Sequence, residues 1–241
     1  MANPGTHLKS MRKAILLNLV GFLCMLVLGQ ATPAAAQVKL ERVGQGFVGA
    51  GTTQYYYLFE NERFTTPLVE VGFDSQGHGK FRFQRKDAQE IVNELSVSAA
   101  LVSQIKSLFD ELNFLQSNED YQYKKDFSHL GKITIRLTQT GHERTASFNY
   151  TTNPTLNRLV EIFRNIATQE TRVFEIETIR ESDPISTPAQ LRLLENELRS
   201  KQIAEPERLA SLLEQIKVDE SVPLIARNHA DRLLKLINKR K

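Results

Sequence analysis

The residues best equipped for chemistry lie in one short stretch, Asp126-Phe127-Ser128-His129. A carboxylate three positions from an imidazole can orient it, and a serine hydroxyl stands next to that imidazole. Adjacency in sequence does not put the hydroxyl on the ring, and the chain contains no Gly-x-Ser-x-Gly elbow. The surrounding segment, 115–131, has no usable hydrophobic period and carries Tyr121, Tyr123 and Phe127. A connection this long is usually functional, disordered or an ordered surface loop, and its aromatic residues argue against disorder. Tyr121, Tyr123, Asp126 and His129 are therefore the candidate binding residues. No residue is assigned a catalytic role.

A second pattern involves two Gly-His pairs, Gly77-His78 and Gly141-His142, in stretches that look alike. A shift of 64 positions lays Val69, Val71, Phe73, Gly77 and His78 on Ile133, Ile135, Leu137, Gly141 and His142. A shared metal or proton-transfer site would need both tips to meet and to recruit a carboxylate. The simpler reading is a polar residue that a turn accepts. His229 falls among Asn228 and Asp231 and reads as a partly exposed helix residue, and Glu175 and Glu177 as an exposed helix face. The chain has no His-Glu-x-x-His, phosphate-binding loop or dinucleotide fingerprint. The glycines from Gly44 to Gly51 precede a β-prone run rather than a helix, which removes a phosphate cradle. No cofactor or metal is expected.

These residues have to be carried by elements the pattern specifies. Val69, Val71 and Phe73 alternate with Glu70, Gly72 and Asp74, then Phe81 and Phe83 alternate with Lys80 and Arg82. Such alternation, a glycine turn and a return strand predict a β-hairpin with one core face and one wet face. Residues 133–148 predict a second hairpin, so the chain reads as a duplicated hairpin–helix unit. Thr52 to Phe59 is apolar on both faces; it is a central strand covered on both sides or one with an exposed aromatic binding face, the first being preferred. Residues 88–97 are read as extended. Ser98 is a helix N-cap ahead of the stripe Leu101, Ile105, Leu108, Phe109 and Leu112, and Asn153-Pro154 opens a second helix. From residue 183 onward everything reads as helical, with starts at Thr187-Pro188, Glu205-Pro206 and Val222-Pro223. The expected fold is α+β: an antiparallel sheet from two β-hairpins with two helices on one face, occupying 37–182, plus a C-terminal helical subdomain over 183–241.

The first 36 residues read as a cleaved signal peptide. Lys9, Arg12 and Lys13 precede an apolar run from Ala14 to Leu28, and Ala34-Ala35-Ala36 supplies a small-residue cleavage site before Gln37. The run is shorter than the roughly 20 residues of a bilayer span, so no integral span is expected after cleavage. Cys24 lies inside the run rather than at its end, which disfavours a lipid anchor, and cleavage would leave a chain without cysteine. The basic surplus also belongs to the leader. The chain has 31 Lys and Arg against 28 Asp and Glu, and the leader holds three of the former and none of the latter. A balanced remainder offers no surface for nucleic acid.

Leu112-Asn113-Phe114-Leu115, Asp126-Phe127-Ser128-His129 and the stretch Ile133 to Phe148 together resemble uncharacterised domains of exported bacterial proteins, over roughly residues 67–180. The resemblance implies periplasmic or secreted placement and carries over no catalytic residue. The expected function is a non-enzymatic binding or scaffolding module of the cell envelope with an envelope or secreted protein as partner. Its candidate surfaces are the wet sheet face (Glu70, Arg82, Thr134, Arg136), the 115–131 loop and the C-terminal helices. One alternative is a hydrolase with a site around Asp126, His129 and a tip histidine; another is an inhibitor of an envelope enzyme.

Overall fold

The computed structural model describes residues 53–239. The expected leader, Cys24, the strand expected near residue 38 and the glycine-rich stretch Gly44–Gly51 lie outside the described residues. Six strands form one antiparallel sheet: β1 (Gln54–Glu60), β2 (Leu68–Asp74), β3 (His78–Gln84), β4 (Glu90–Ser96), β5 (Lys132–Gln139) and β6 (His142–Phe148), in the order β4-β3-β2-β1-β5-β6. The Tyr-rich β1 is the centre, as a strand apolar on both faces must be. Tyr55 and Tyr57 face the helices, Tyr56 and Leu58 face the other way, and all are buried. The Arg136 guanidinium lies 4.3 Å over the Tyr56 ring, so the second aromatic face is covered rather than offered to solvent.

The two hairpins flank β1 in matched rows. Val69, Phe59 and Ile133 share one row, Val71, Tyr57 and Ile135 the next, and Phe73, Tyr55 and Leu137 a third. Residues 64 apart are thus level across β1 on the outgoing strands. The return strands break that offset by one residue. Val71 pairs with Phe81 but Ile135 pairs with Ala146, and Val69 pairs with Phe83 where Ile133 pairs with Phe148. The first hairpin turns through Ser75, Gln76 and Gly77, whereas the second turns on Thr140 and Gly141 alone, both at positive φ. Across the return strands the level partner of His142 is Gly77, not His78. β4 then adds an edge strand before the first helix; no counterpart follows β6.

Helices α1 (Ala99–Glu111) and α2 (Pro154–Ser182) cover the apolar face. Ser98 and Asn153 cap them, accepting from the Leu101 and Leu156 amides at 3.2 and 3.0 Å. Phe109 and Phe163 reach into the aromatic layer of Tyr55, Tyr57 and Phe73, with Tyr57 stacked on Phe163 at 5.4 Å. α2 is one helix of 29 residues. Its first half packs on the sheet, while Ile176 belongs to a second apolar cluster built with α3 (Thr187–Arg199), α4 (Ala210–Val218) and α5 (Leu224–Asn238).

Three surface assignments made from the sequence are overturned here. The sheet face opposite the helices is not wet at its centre, since Glu70 and Arg82 are buried. They are cross-strand partners joined by a salt bridge, and Arg82 also donates to Glu90 at 2.8 Å. Mutual neutralisation lets both leave water, though one Glu70 carboxylate oxygen has no hydrogen-bond partner among the described residues. His229 is buried at 4% exposure between α5 and α3, its Nε2 2.9 Å from Glu195 Oε2. Glu175 is also no bystander: it pairs with Arg85 and, at 2.6 Å, with Arg172.

Candidate functional site

The 115–131 loop is an ordered structure held by two polar hubs. Arg144, on β6, donates to the carbonyls of Phe114 and Glu119, each at 2.7 Å. The same guanidinium lies 4.7 Å over the Phe114 ring and 5.2 Å over Tyr121. Tyr121 stacks on Phe114 and is buried to 4% exposure, so it is a core residue rather than a ligand contact. Asn149 is the second hub. Its amide nitrogen donates to Asp126 at 2.5 Å, its side-chain oxygen accepts from Gln122 at 2.8 Å, and its backbone amide donates to Gln122 at 2.9 Å. Tyr123 packs against Phe127 and edge-on to Tyr150, leaving an exposed aromatic cluster.

Asp126 and His129 do not form a dyad. The Asp126 carboxylate is taken by Asn149, and the His129 ring stands edge-on to Phe127 while its carbonyl accepts from Asn61 at 3.1 Å. The tip histidines are remote from both. His78 and His142 open β3 and β6 at the Gln54 end of the sheet, and His129 precedes β5 at the Glu60 end. Seven paired residues separate those ends, about 20 Å of strand, and four strand spacings of about 4.8 Å separate β3 from β6. Hydrogen-bonded catalysis through Asp126, His129 and a tip histidine has no geometry to use. No group of three or more His, Cys, Asp or Glu among the described residues is placed to hold a metal ion. No helix among them is long and apolar enough to cross a membrane.

The concave surface lies elsewhere, at the Glu60 end of the sheet. A small polar cleft of about 560 Å³ is lined by Asn61, Arg63, Ser128, His129 and Asn149. Beside it, sharing Phe148 and Asn149, is a groove of about 1070 Å³. One wall is the inner sheet face (Tyr57, Phe59, Val69, Ile133, Phe148); the other is α2 together with the end of α3. Tyr57, Ile133, Phe148 and Val160 are buried in its floor, whereas Phe64, Leu130 and Tyr150 stand 41–44% exposed at its mouth. The polar groups converge from α2, where Asn157, Glu161, Arg164, Asn165 and Thr168 recur at helical spacing along the rim.

Two arginines on α2 differ sharply in their engagement. Arg172 is buried and satisfied, donating to Glu197 at 2.6 and 2.9 Å and to Glu175 and Gln190 at 2.6 Å each. It ties α2 to α3 and, through Glu175, to Arg85 at the end of β3. Arg164, by contrast, is exposed on the rim of the groove. Burial pushes the pKa of the Tyr57 hydroxyl up, with Arg164 pulling the other way, so the phenol remains protonated at neutral pH.

Of the four candidate binding residues, Tyr121, Tyr123, Asp126 and His129, only His129 lines the small cleft and none lines the larger groove, which the 115–131 loop reaches through Leu130. The signal for the groove was present in two places. The α2 sequence keeps one apolar stripe but loads its flank with Asn157, Asn165, Thr168 and Thr171, and Phe64 is an apolar residue stranded in a polar connection, Asn61 to Thr66. No protein-family model matches the chain, and no curated protein matches it.

Proposed function

We propose that this chain is an exported, non-enzymatic binding module of the bacterial cell envelope, and that the groove between the sheet and α2 is its ligand site. The leader-like first 36 residues and the resemblance to exported bacterial domains support the placement. The groove supports the activity. A concave surface with a buried apolar floor, a polar rim and exposed aromatic residues at its mouth is a form ligand sites take, and its volume of about 1070 Å³ is just above the roughly 300–1,000 Å³ usual for them. The sheet wall comes from β1, β2, β5 and β6 and the rim from α2, so both walls are built on regular elements, which favours a preformed site.

The test is native mass spectrometry of the chain recovered from the envelope fraction of producing cells. The chain should begin at Gln37 and carry bound material. Thr168→Trp, which fills the groove from its rim, should reach the same compartment but arrive empty. Retention in the cytoplasm with the leader intact, or identical cargo on both proteins, would sink the reading.

A further inference from the structure

Resting on the reading of the groove as a ligand site, we infer that its ligand is a neutral oligosaccharide, held between a row of hydrogen-bond acceptors on α2 and the aromatic side of the sheet wall. More than half of the residues lining the groove are polar, and a hydrocarbon chain would leave them without partners. Along α2, Asn157, Glu161, Asn165 and Thr168 follow one another at steps of four, four and three residues, so they share one face. Asn157 donates its amide nitrogen to the Thr151 carbonyl and Asn165 donates its own to the Lys201 carbonyl, each at 3.2 Å. Both side-chain oxygens are thereby left as acceptors of fixed orientation. The Glu161 carboxylate and the Thr168 hydroxyl have no hydrogen-bond partner among the described residues. A row of acceptors calls for a row of donors, and a sugar carries a hydroxyl on nearly every carbon. From Asn157 to Thr168 the row runs about 16 Å at 1.5 Å per residue, the length of about three linked pyranose rings.

The sheet side supplies the complementary surface. A pyranose ring is hydroxylated round its edge and shows C–H groups on its flat faces, and the negative face of an aromatic ring attracts such polarised hydrogens. Phe64, from the connection between β1 and β2, and Tyr150, just after β6, stand 44% and 41% exposed at the mouth. Phe59 lies beside Phe64 with ring centroids 5.6 Å apart. The charges on the walls cancel: Glu161 and Arg164 lie three residues apart on α2, and Glu197 is taken by Arg172. The groove therefore offers no net charge to an ionic ligand, and its acceptors repel an anion. An extended peptide would add to a strand edge, and the edge strand reaching the groove is β6. Its continuation is already occupied by the 115–131 loop, since the Asn149 amide donates to Gln122 and the Tyr150 carbonyl accepts from the Tyr123 amide, both at 2.9 Å.

The experiment is calorimetric titration of the purified chain with cellotetraose, maltotetraose, chitotetraose and tetragalacturonate, using wild type, Glu161→Ala, Phe64→Ala, Tyr150→Ala and Thr168→Trp. At least one of the neutral chains should bind one-to-one, and tetragalacturonate, with a carboxylate on every ring, should bind more weakly. Glu161→Ala should weaken the neutral ligand about tenfold or more. Phe64→Ala and Tyr150→Ala should each weaken it about threefold or more. Binding of none of the neutral chains, tighter binding of tetragalacturonate, or an affinity indifferent to Glu161→Ala overturns the oligosaccharide assignment. Lipid or peptide cargo that Thr168→Trp excludes, identified by native mass spectrometry, overturns that assignment too and leaves the groove standing. Undiminished binding of the oligosaccharide to Thr168→Trp overturns the groove itself, so the two failures are distinguishable. Glu161, Phe64 and Tyr150 are exposed, and unchanged thermal midpoints establish that their variants are folded.

Discussion

Replacing Arg172 by methionine tests whether the guanidinium holds the α+β part and the C-terminal helices together. The side chain is 11% exposed and its carboxylate partners Glu175 and Glu197 are 19% and 16% exposed, so all three have largely left water. Methionine keeps much of the aliphatic stem and removes four charge-assisted contacts, to Glu197 twice, Glu175 and Gln190. Removing one member of a buried ion pair costs about 3–5 kcal/mol, chiefly because the opposite charge is stranded. Glu175 retains Arg85, and both carboxylates keep some contact with water, which lowers the expectation to about 2–4 kcal/mol. Urea unfolding followed by far-ultraviolet circular dichroism measures this as a shift in midpoint at constant slope. Glu197→Met in the Arg172→Met background should then cost far less than it costs alone, because the stranded charge is removed. A loss below about 1 kcal/mol for Arg172→Met, or simple additivity of the two substitutions, would refute the argument.

Two further expectations concern pH and backbone shape. Burial holds the Glu170 carboxyl above its ordinary pKa, with the Arg208 guanidinium acting against this; the unfolded chain therefore releases that proton at a lower pH than the native state does. The contribution of this group to stability consequently falls as pH rises from the ordinary carboxylate range through the raised native value, and Glu170→Gln should remove that part of the pH dependence and stabilise the protein at neutral pH. A Glu170→Gln protein whose stability curve parallels wild type from pH 4 to 7, measured by urea titration, would contradict it. Gly131 and Gly141 both have positive φ, at 91° and 79°, but a methyl group on Gly131 would come within 2.7 Å of the Phe59 ring and 2.8 Å of the Glu60 carbonyl, while one on Gly141 meets nothing within 4 Å. Gly141→Ala should cost about 1–2 kcal/mol from conformation alone and Gly131→Ala at least about 1–3 kcal/mol more from overpacking; similar urea midpoints for the two variants would be the contrary result.

How far the sequence reveals this molecule depends on whether a residue's surroundings are local. The α1 stripe from Leu101 to Leu112, the caps Ser98 and Asn153, and the alternation around Val71 and Phe83 are local patterns, and each is realised in the structure. The six-stranded α+β architecture with its helical C-terminal part follows from them. The assignments that fail need knowledge of a partner distant along the chain. Glu70 reads as solvent-facing until Arg82 is found opposite it, and His229 reads as a surface residue until α3 brings Glu195 to its ring. Tyr121 reads as a loop aromatic until Arg144, 23 residues later, pins it to Phe114. The Gly-His coincidence misleads for a different reason: a one-residue difference between the two turns moves every later partner, which no alignment of the outgoing strands can detect. The groove was hidden because its walls come from β1, β2, β5, β6 and α2, more than 90 residues apart in sequence at the extremes.

The length of α2 has a consequence for the order in which the chain can fold. As the protein is synthesised, everything needed to cover Leu156, Val160 and Phe163 precedes them, so the first half of the helix can dock as it emerges. Val173 and Ile176 have no such cover until α3, α4 and α5 have been made, some 60 residues later. A helix in water draws most of its stability from tertiary contact, so during that interval the second half of α2 is an apolar stub awaiting its cap. Arg172 sits at the junction, and its partners Gln190 and Glu197 are among the first C-terminal residues to arrive. The nascent chain is then most exposed to misassociation between completion of α2 and arrival of α5, and any helper that shields it would be needed in that window.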